Sequence, residues 1–182
     1  MKKICFALKL LLCCSSAFAF GSVVGEKGSG ITDGFSRDDR LEVVKDDIYR
    51  LMWQDQQFMD SSATVFPLSA MGDKYNNPMT YAEAVRYCDD LKFAGFDDWR
   101  LPTANELLSI TDDSRYNPAI NKAFKNVAYE TNDKGEKSYG WYWSSTKGAD
   151  DSSGAWIVAF EDGDDVWSVV SNRRFVRCVR QY

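Results

Sequence analysis

Apolar residues occur along the chain in short runs that alternate with polar residues, a pattern typical of short β-strands. Between residues 41 and 53, two such runs surround Lys45-Asp46-Asp47 and predict two strands joined by a turn. Asp162-Gly163 is a hairpin signal in the C-terminal third, and the polar segment 127–140 predicts a loop. The predicted strands are 41–44, 49–53, 141–145, 155–160, 166–170 and 175–180, with a short extended segment at 64–68.

Two capping boxes predict the starts of short helices. In each, a threonine precedes a glutamate by three residues, at 80–83 and at 103–106. We expect the first helix to end near Gly95 and the second to cover residues 104–111. The residues of the first helix expected to face inward are Tyr81, Ala84, Val85, Cys88 and Leu91.

Asn117-Pro118 predicts the start of a short third helix that carries Ile120 and Phe124. Taken together, the elements predict one α+β domain over residues 41–182. It has two to three short helices in its first half and a twisted antiparallel sheet in its second half.

The N-terminal segment differs from the rest of the chain and predicts export. Lys2-Lys3 precedes an apolar run, and Ala17-Phe18-Ala19 supplies a small-residue cleavage site. We therefore expect a signal peptide over residues 1–19, and a product that is periplasmic, at the cell surface or secreted. Residues 20–40 contain five glycines and predict a flexible leader. In an alternative, Cys13 or Cys14 is acylated to give a lipoprotein, although the residue before either cysteine is not small.

Removal of the signal peptide changes both the charge and the cysteine count. Three lysines leave with it, which lowers the formal net charge from −5 by three, to −8. Of the five cysteines, Cys88 and Cys178 remain, and two cysteines in an exported chain predict one disulfide. No other apolar stretch is long enough to span a bilayer. We therefore expect neither an integral membrane protein nor a nucleic-acid partner.

The chain contains no histidine. This absence excludes Ser-His-Asp and Cys-His catalysis and the usual histidine-containing zinc sites. Paired cysteines would leave no thiol nucleophile, and no motif indicates carboxylate, lysine, tyrosine or serine chemistry. We therefore expect a protein that is not an enzyme and that holds no metal or cofactor.

The segment Trp99-Arg100-Leu101-Pro102 directly precedes the second helix and predicts a rigid corner. Arg100 has two interpretations: it faces a ligand, or it is half-buried and binds carbonyls or a carboxylate such as Glu106. We favour the second, with Trp99 in the core. The residues then assigned a structural role are Trp99, Arg100, Leu101, Pro102 and Glu106.

Several motifs, in their order along the chain, resemble the Lcl C-terminal domain family, a large group of exported bacterial domains of unknown function. The motifs are Leu51–Asp55, the Thr80 helix with Ala84 and Cys88, "AGFDDWRLPTANEL", "YWSST" at 142–146 and "VRCVR" at 176–180. The likeness covers about residues 41–182. The family usually carries a glycine before Leu-Met-Trp, where this chain has Tyr49-Arg50.

The resemblance implies a C-type-lectin-like fold related to the formylglycine-generating enzymes. Such folds present a loop-rich surface above a stable sheet, and members bind glycans, proteins or other surfaces. The characterised name-giving members act in adhesion to sulfated polysaccharides, which the net charge of −8 disfavours here for the surface as a whole. The cysteine pair of the related enzymes cannot be mapped, because Cys88 and Cys178 fall on positions expected to be bridged.

The favoured function is therefore an exported, non-catalytic module that binds an extracellular or envelope ligand, a glycan or a protein, through loops between 140 and 174. The alternative is a structural envelope subunit that contacts another protein. An enzyme of the formylglycine-generating type is disfavoured.

The candidate ligand-binding residues are Trp143, Trp167, Arg173 and Arg174. A tryptophan can stack on sugar rings, although a core position is favoured for the 141–143 aromatics. Arg173, Arg174, Arg177 and Arg180 form a basic cluster, which we interpret as a charged edge that blocks strand addition. In the alternative, the cluster holds an anion.

Two acidic stretches, 150–151 and 161–165, supply oxygen atoms that could bind calcium. Neither matches an EF-hand loop, and the Glu-Pro-Asn and Gln-Pro-Asp triplets of calcium lectins are absent. We favour solvated charges in turns.

Overall fold

A computed structural model of the chain describes residues 34–56, 78–131, 134–150 and 153–182. Within these ranges the protein is an α+β domain of mostly antiparallel strands and few helices. Neither helix in the described ranges has the length and apolar character needed to cross a membrane. The predicted signal peptide, residues 20–33 of the predicted leader and the segment 64–68 lie outside the described residues.

A four-stranded antiparallel sheet joins the two ends of the domain in the order β1-β2-β3-β9. Its strands are β1 (Phe35–Asp38), β2 (Val43–Asp46), β3 (Leu51–Gln54) and β9 (Val179–Gln181). The predicted strands 41–44 and 49–53 are confirmed, with a shift toward the C-terminus. The turn between them follows Asp46, because the carboxylate of Asp46 accepts hydrogen bonds from the amides of Ile48 (2.9 Å) and Tyr49 (3.1 Å).

Strand β1 corrects the predicted leader, which we placed at residues 20–40. Residues 35–38 pair with β2 in continuous register, and the ring of Phe35 is buried in the core against Phe124. Burial of this one aromatic ring and pairing with β2 hold the segment in place.

A second sheet contains β6 (Trp141–Lys147), β7 (Gly154–Ala159) and β8 (Asp165–Val169), in that order and antiparallel. The predicted hairpin at Asp162-Gly163 is confirmed, and Gly163 has the positive φ (91°) that such a turn requires. The predicted strand 175–180 divides between the sheets: Phe175 bridges Tyr142 in parallel, and β9 begins at Val179.

Both capping boxes are confirmed. They begin α1 (Tyr81–Asp89) and α2 (Ala104–Ser109), where the amides of Thr80 and Thr103 donate to the carboxylates of Glu83 (2.9 Å) and Glu106 (2.8 Å). Helix α1 ends earlier than the predicted Gly95. It ends at Asp89, and the amide of Leu91 bonds to the carbonyl of Cys88 (3.2 Å), three residues earlier, in place of the i to i−4 bond of a helix.

Residues 117–124 form no helix, which corrects the prediction of a third one. Asn117 has a φ of 50°, and the next amides bond to other segments. Ala119 donates to the carbonyl of Phe160 (2.9 Å), and Asn121 donates to that of Ile110 (2.9 Å). Bonds across to neighbouring segments therefore replace the i to i−4 bonds of a helix.

The predicted loop 127–140 is also wrong in part. It contains a two-stranded hairpin of β4 (Tyr129–Thr131) and β5 (Lys137–Tyr139). The rings of Tyr129 and Tyr139 lie opposite each other at 5.8 Å and stabilise the pairing.

The core has two clusters, one on each face of the β6–β7–β8 sheet. Tyr142 and Val158 belong to the first cluster, with Trp53 and Leu107, whereas Trp143 belongs to the second. The second cluster holds the predicted disulfide, which is confirmed between Cys88 and Cys178 with a Cα–Cα distance of 5.5 Å. This bond ties α1 to the segment that leads into β9.

Candidate functional site

Strand β8 exposes three apolar side chains. The exposed fractions of Val166, Trp167 and Val169 are 43%, 38% and 38%, and only Ser168 of this strand is buried. Trp167 and Val169 lie on one face of the strand and Val166 on the other, and exposed apolar side chains that lie together mark interaction surfaces. Among the described residues, β8 is therefore the first place to look for a binding site.

The pairing of β8 with β7 places a second indole beside Trp167. Trp156 lies directly opposite Trp167 in the register. The ladder bonds at the two ends join Ala159 to Asp164 (2.8 Å) and Val170 to Ser153 (2.9 Å). Because hydrogen-bonded and non-bonded pairs alternate, Trp156 and Trp167 form a non-hydrogen-bonded pair, in which opposite side chains are closest.

Gly154 makes room for the indole of Trp167. A Cβ atom at position 154 would lie 2.0 Å from the Trp167 ring, so any other residue there would displace the ring. The ring therefore lies over the backbone of β7. We call the surface formed by Gly154, Trp156 and Trp167 the Trp167 face. A partly exposed indole beside a second indole suits stacking against apolar ring faces.

Arg173 and Arg174 lie on the turn that follows β8, near the start of α1. The Nε of Arg173 donates to the carbonyl of Pro78 (2.9 Å), and its guanidinium is 3.3 Å from Glu83. Arg174 is half-buried and its Nη2 lies 3.4 Å from the hydroxyl of Ser168. Since Ser168 and Trp167 point to opposite faces of β8, the structure does not place Arg174 on the Trp167 face.

The prediction that Trp143 binds a ligand is wrong. Its side chain is fully buried in the second core cluster, and its Nε1 donates to the carbonyl of Met79 at 2.7 Å. Strand alternation alone suggested that one face of the 141–143 segment is exposed. Both faces are covered, because the sheet lies between the two core clusters.

The predicted basic cluster is not a single surface. Arg177 is fully buried, and its Nη1 donates to Asp55 (2.8 Å) and to the carbonyl of Gln54 (2.7 Å). Arg180 instead pairs with Asp98 at the surface, at 2.6 Å and 2.9 Å. The four arginines therefore have separate partners, and the alternative of a shared anion site on this cluster is wrong.

Sequence reasoning missed the buried ion cluster around Asp55. Its carboxylate accepts bonds from the guanidinium groups of Arg37 and Arg177, and from the amides of Lys125 (2.9 Å) and Asn126 (3.2 Å). The guanidinium of Arg177 also lies 4.9 Å from the ring centroid of Phe124. These contacts join the two ends of the domain to the 125–126 segment, so the cluster stabilises the fold.

The contact predicted for Arg100 is present. Its guanidinium donates to both oxygens of Glu106, at 2.8 Å and 2.6 Å, and its backbone pairs with Val179 in both directions at 2.9 Å. Trp99 is buried, and its Nε1 donates to the carbonyl of Phe93 at 3.2 Å. Leu101 and Pro102 are buried as well. These contacts support the structural interpretation.

Replacing Arg100 with alanine is expected to destabilise the protein by about 1 kcal/mol, because 41% of its side chain is exposed and surface pairs contribute little. Glu106 would keep its bond from the Thr103 amide. Chemical denaturation measures the change. A loss below the error of the fit would contradict the structural assignment.

The pH dependence offers a second readout of the same pair. Burial alone would raise the pKa of Glu106, but bonds from Arg100 and Thr103 outweigh it and lower the pKa below its ordinary 4.5. The pair therefore stabilises the fold above pH 4.5, and this stability is lost as the pH falls through the folded-state pKa. In the Arg100→Ala variant this acid-dependent loss should be smaller.

The acidic stretch 161–165 covers most of the turn between β7 and β8 and the first residue of β8. Glu161 accepts bonds from the hydroxyls of Tyr116 (3.2 Å) and Ser138 (2.6 Å). No group of three or more histidine, cysteine, aspartate or glutamate residues in the described part of the chain is arranged to hold a metal ion.

Comparison with known proteins places the chain in a family. No curated protein matches it. The family model described as the Lcl C-terminal domain matches residues 42–180, which is well over half of the sequence and nearly all of the described domain. The chain therefore belongs to the Lcl C-terminal domain family.

Proposed function

We propose that this protein is an exported, non-catalytic recognition module that binds its ligand on the Trp167 face. The observation that carries the proposal is the partly exposed indole of Trp167, which Gly154 seats over β7 beside Trp156. A location in the periplasm, at the cell surface or outside the cell is consistent with the predicted signal peptide and the buried disulfide.

We also propose that the fold is C-type-lectin-like. Membership of the family, the short helices and the disulfide between α1 and the last strand segment support this proposal. An enzyme of the formylglycine-generating type would need a free cysteine pair. Cys88 and Cys178 are bonded to each other, and this supports binding over catalysis.

The ligand that fits the Trp167 face best is a neutral glycan. An indole stacks on the C–H face of a sugar ring, and the adjoining turn 161–165 carries four carboxylates. Those charges disfavour a sulfated chain at this surface. A structural envelope subunit remains the second candidate, since Val166 adds apolar surface on the opposite face of β8.

A glycan array probed with the mature protein tests the proposal. We expect binding to a neutral glycan, and a loss of at least about tenfold in affinity for Trp167→Ala, equivalent to 1.4 kcal/mol. Val166→Ala is the matched control, because it removes exposed apolar surface from the other face of the same strand. Thermal melting verifies that each variant is folded.

Equal affinity of the Trp167→Ala variant and the parent would place the ligand elsewhere. Capture of an envelope protein in a pull-down, with no signal on the array, would favour the structural-subunit alternative.

A further inference from the structure

Within the described residues, the outer edge of β8 presents backbone groups that no strand bonds. The ladder bonds at Asp164 and Val170 show that the even-numbered residues of this stretch direct their N–H and C=O groups toward β7. The odd-numbered residues Asp165, Trp167 and Val169 therefore direct their N–H and C=O groups away from β7. Of these groups, the Val169 carbonyl accepts a bond from the amide of Asn172 (2.9 Å). No strand within the described ranges pairs with this edge.

This edge carries little of the protection that sheet edges usually have. Proteins block strand addition with proline, a central lysine or a bulge. The sequence of β8, Asp-Val-Trp-Ser-Val, has no proline or lysine, and its pairing with β7 continues without a register shift. Its one charge, Asp165, stands at the first position. In the part of the chain that the structure describes, no strand covers the centre of β8, so it can accept another strand.

The charges at the ends of β8 are opposite in sign. The acidic turn 161–165 precedes and enters the strand, and Arg173 and Arg174 follow it. An antiparallel copy of β8 brings the acidic end of one strand toward the basic end of the other, whereas a parallel copy sets like charges together. The strand is thus complementary to itself in one orientation only.

We propose that two copies of this protein associate through their β8 edges, antiparallel and about a two-fold axis at Trp167. In that register Trp167 pairs with its counterpart, and Asp165 of each copy pairs with Val169 of the other. Because residue 167 directs both backbone groups outward, the central pair exchanges two hydrogen bonds. The result is an isologous, closed dimer with one continuous sheet.

Association also joins the two Trp167 faces. Trp156 and Trp167 of one copy and the same residues of the second copy then lie in a row on one side of the joined sheet. The dimer itself does not depend on a ligand. Use of this row as a longer stacking platform rests on the proposed function.

Sedimentation velocity on the mature protein, from low to high micromolar concentration, tests the dimer. We expect the mass to rise from that of one chain to that of two. Val169→Pro removes one outward N–H and no bond to β7, so it should shift dissociation to at least tenfold higher concentration. Val169→Ala keeps the N–H and should shift it less.

Charge variants test the orientation. Asp162→Lys/Asp164→Lys/Asp165→Lys leaves Glu161 as the one carboxylate of the turn 161–165 and so makes both ends of β8 net basic, and Ser171→Glu/Arg173→Glu makes both ends net acidic. Each variant alone should be monomeric at concentrations where the parent is dimeric, and an equimolar mixture should restore a dimer. These side chains are exposed, so folding should persist, which circular dichroism verifies.

A parent that stays monomeric at high micromolar concentration overturns the inference, whether or not it binds a glycan. A dimer that persists unchanged in Val169→Pro places the interface elsewhere. A dimer whose Trp167→Ala variant binds glycan as well as the parent contradicts the proposed function and leaves the dimer standing.

Discussion

Replacing Asp55 with asparagine is expected to destabilise the protein by about 3–5 kcal/mol, the cost of leaving a buried charge without its partner. Asp55 and Arg177 are both fully buried, and Asp55 is the one carboxylate that the structure places on Arg177 within the described residues. Most single domains are stable by only about 5–15 kcal/mol. The substitution therefore removes a large share of the free energy of unfolding.

The expected loss is larger than that for removal of either arginine. The cluster holds two guanidinium groups and one carboxylate, so Arg177→Met leaves Arg37 and Asp55 as a neutral pair. Asp55→Asn instead leaves Arg177 charged, and the new amide group cannot accept as many bonds as the carboxylate it replaces. Arg37 retains a second carboxylate, Asp39. The isolated charge on Arg177 therefore dominates the cost.

Asp98→Asn is the matched control. It is the same substitution beside an arginine, Arg180, but the side chain of Asp98 is 57% exposed, so its loss should cost under about 1 kcal/mol. Urea denaturation measures the free energy of unfolding of the parent, Asp55→Asn, Arg177→Met and Asp98→Asn, and so ranks the three losses. Equal losses for the two asparagine variants would show that burial of the Asp55 cluster contributes nothing.

The features that the sequence predicted well depend on local signals. A threonine three residues before a glutamate fixes the start of a helix through bonds within one turn, and both such starts were confirmed at Thr80 and Thr103. The turn at Gly163 needs only a residue that tolerates positive φ. The disulfide followed from a count, since signal-peptide removal would leave two cysteines.

The features that it missed depend on distant segments. Arg177 binds Asp55, which lies 122 residues earlier, and no signal near either residue records that pairing. A weak signal did exist: Phe175, Val176, Cys178 and Val179 are all apolar, which indicates a segment buried on both faces. A charged residue in such a segment needs a buried counter-charge.

The candidate site was predicted only in part, because it also depends on which strands pair and in which register. Trp167 was identified as an aromatic residue near the C-terminal loops, and it is exposed. Trp156 and Gly154 were not identified, because their role depends on which residues of β7 lie opposite Trp167. A shift of that register by one residue would point Trp156 to the other face.

The second large effect is expected from removal of the disulfide. Cys88→Ala/Cys178→Ala should destabilise the protein by about 4–5 kcal/mol in the chain-entropy account, because the bond closes a loop spanning a sequence separation of 90 residues. Both cysteines are fully buried in the second core cluster, so the bond also fixes α1 against the segment that leads into β9.

Urea denaturation of the oxidised parent, the reduced parent and the double alanine variant distinguishes the stability that the cross-link contributes from the stability that packing of the two side chains contributes. The bond acts mainly on the unfolded chain, so the reduced parent and the alanine variant should lose similar stability. Since both sulfur atoms are buried, a reductant should cleave the bond slowly in the native protein and quickly in urea. Reduction that is equally fast in both states, or a variant as stable as the oxidised parent, would contradict a clamp between α1 and the last strand.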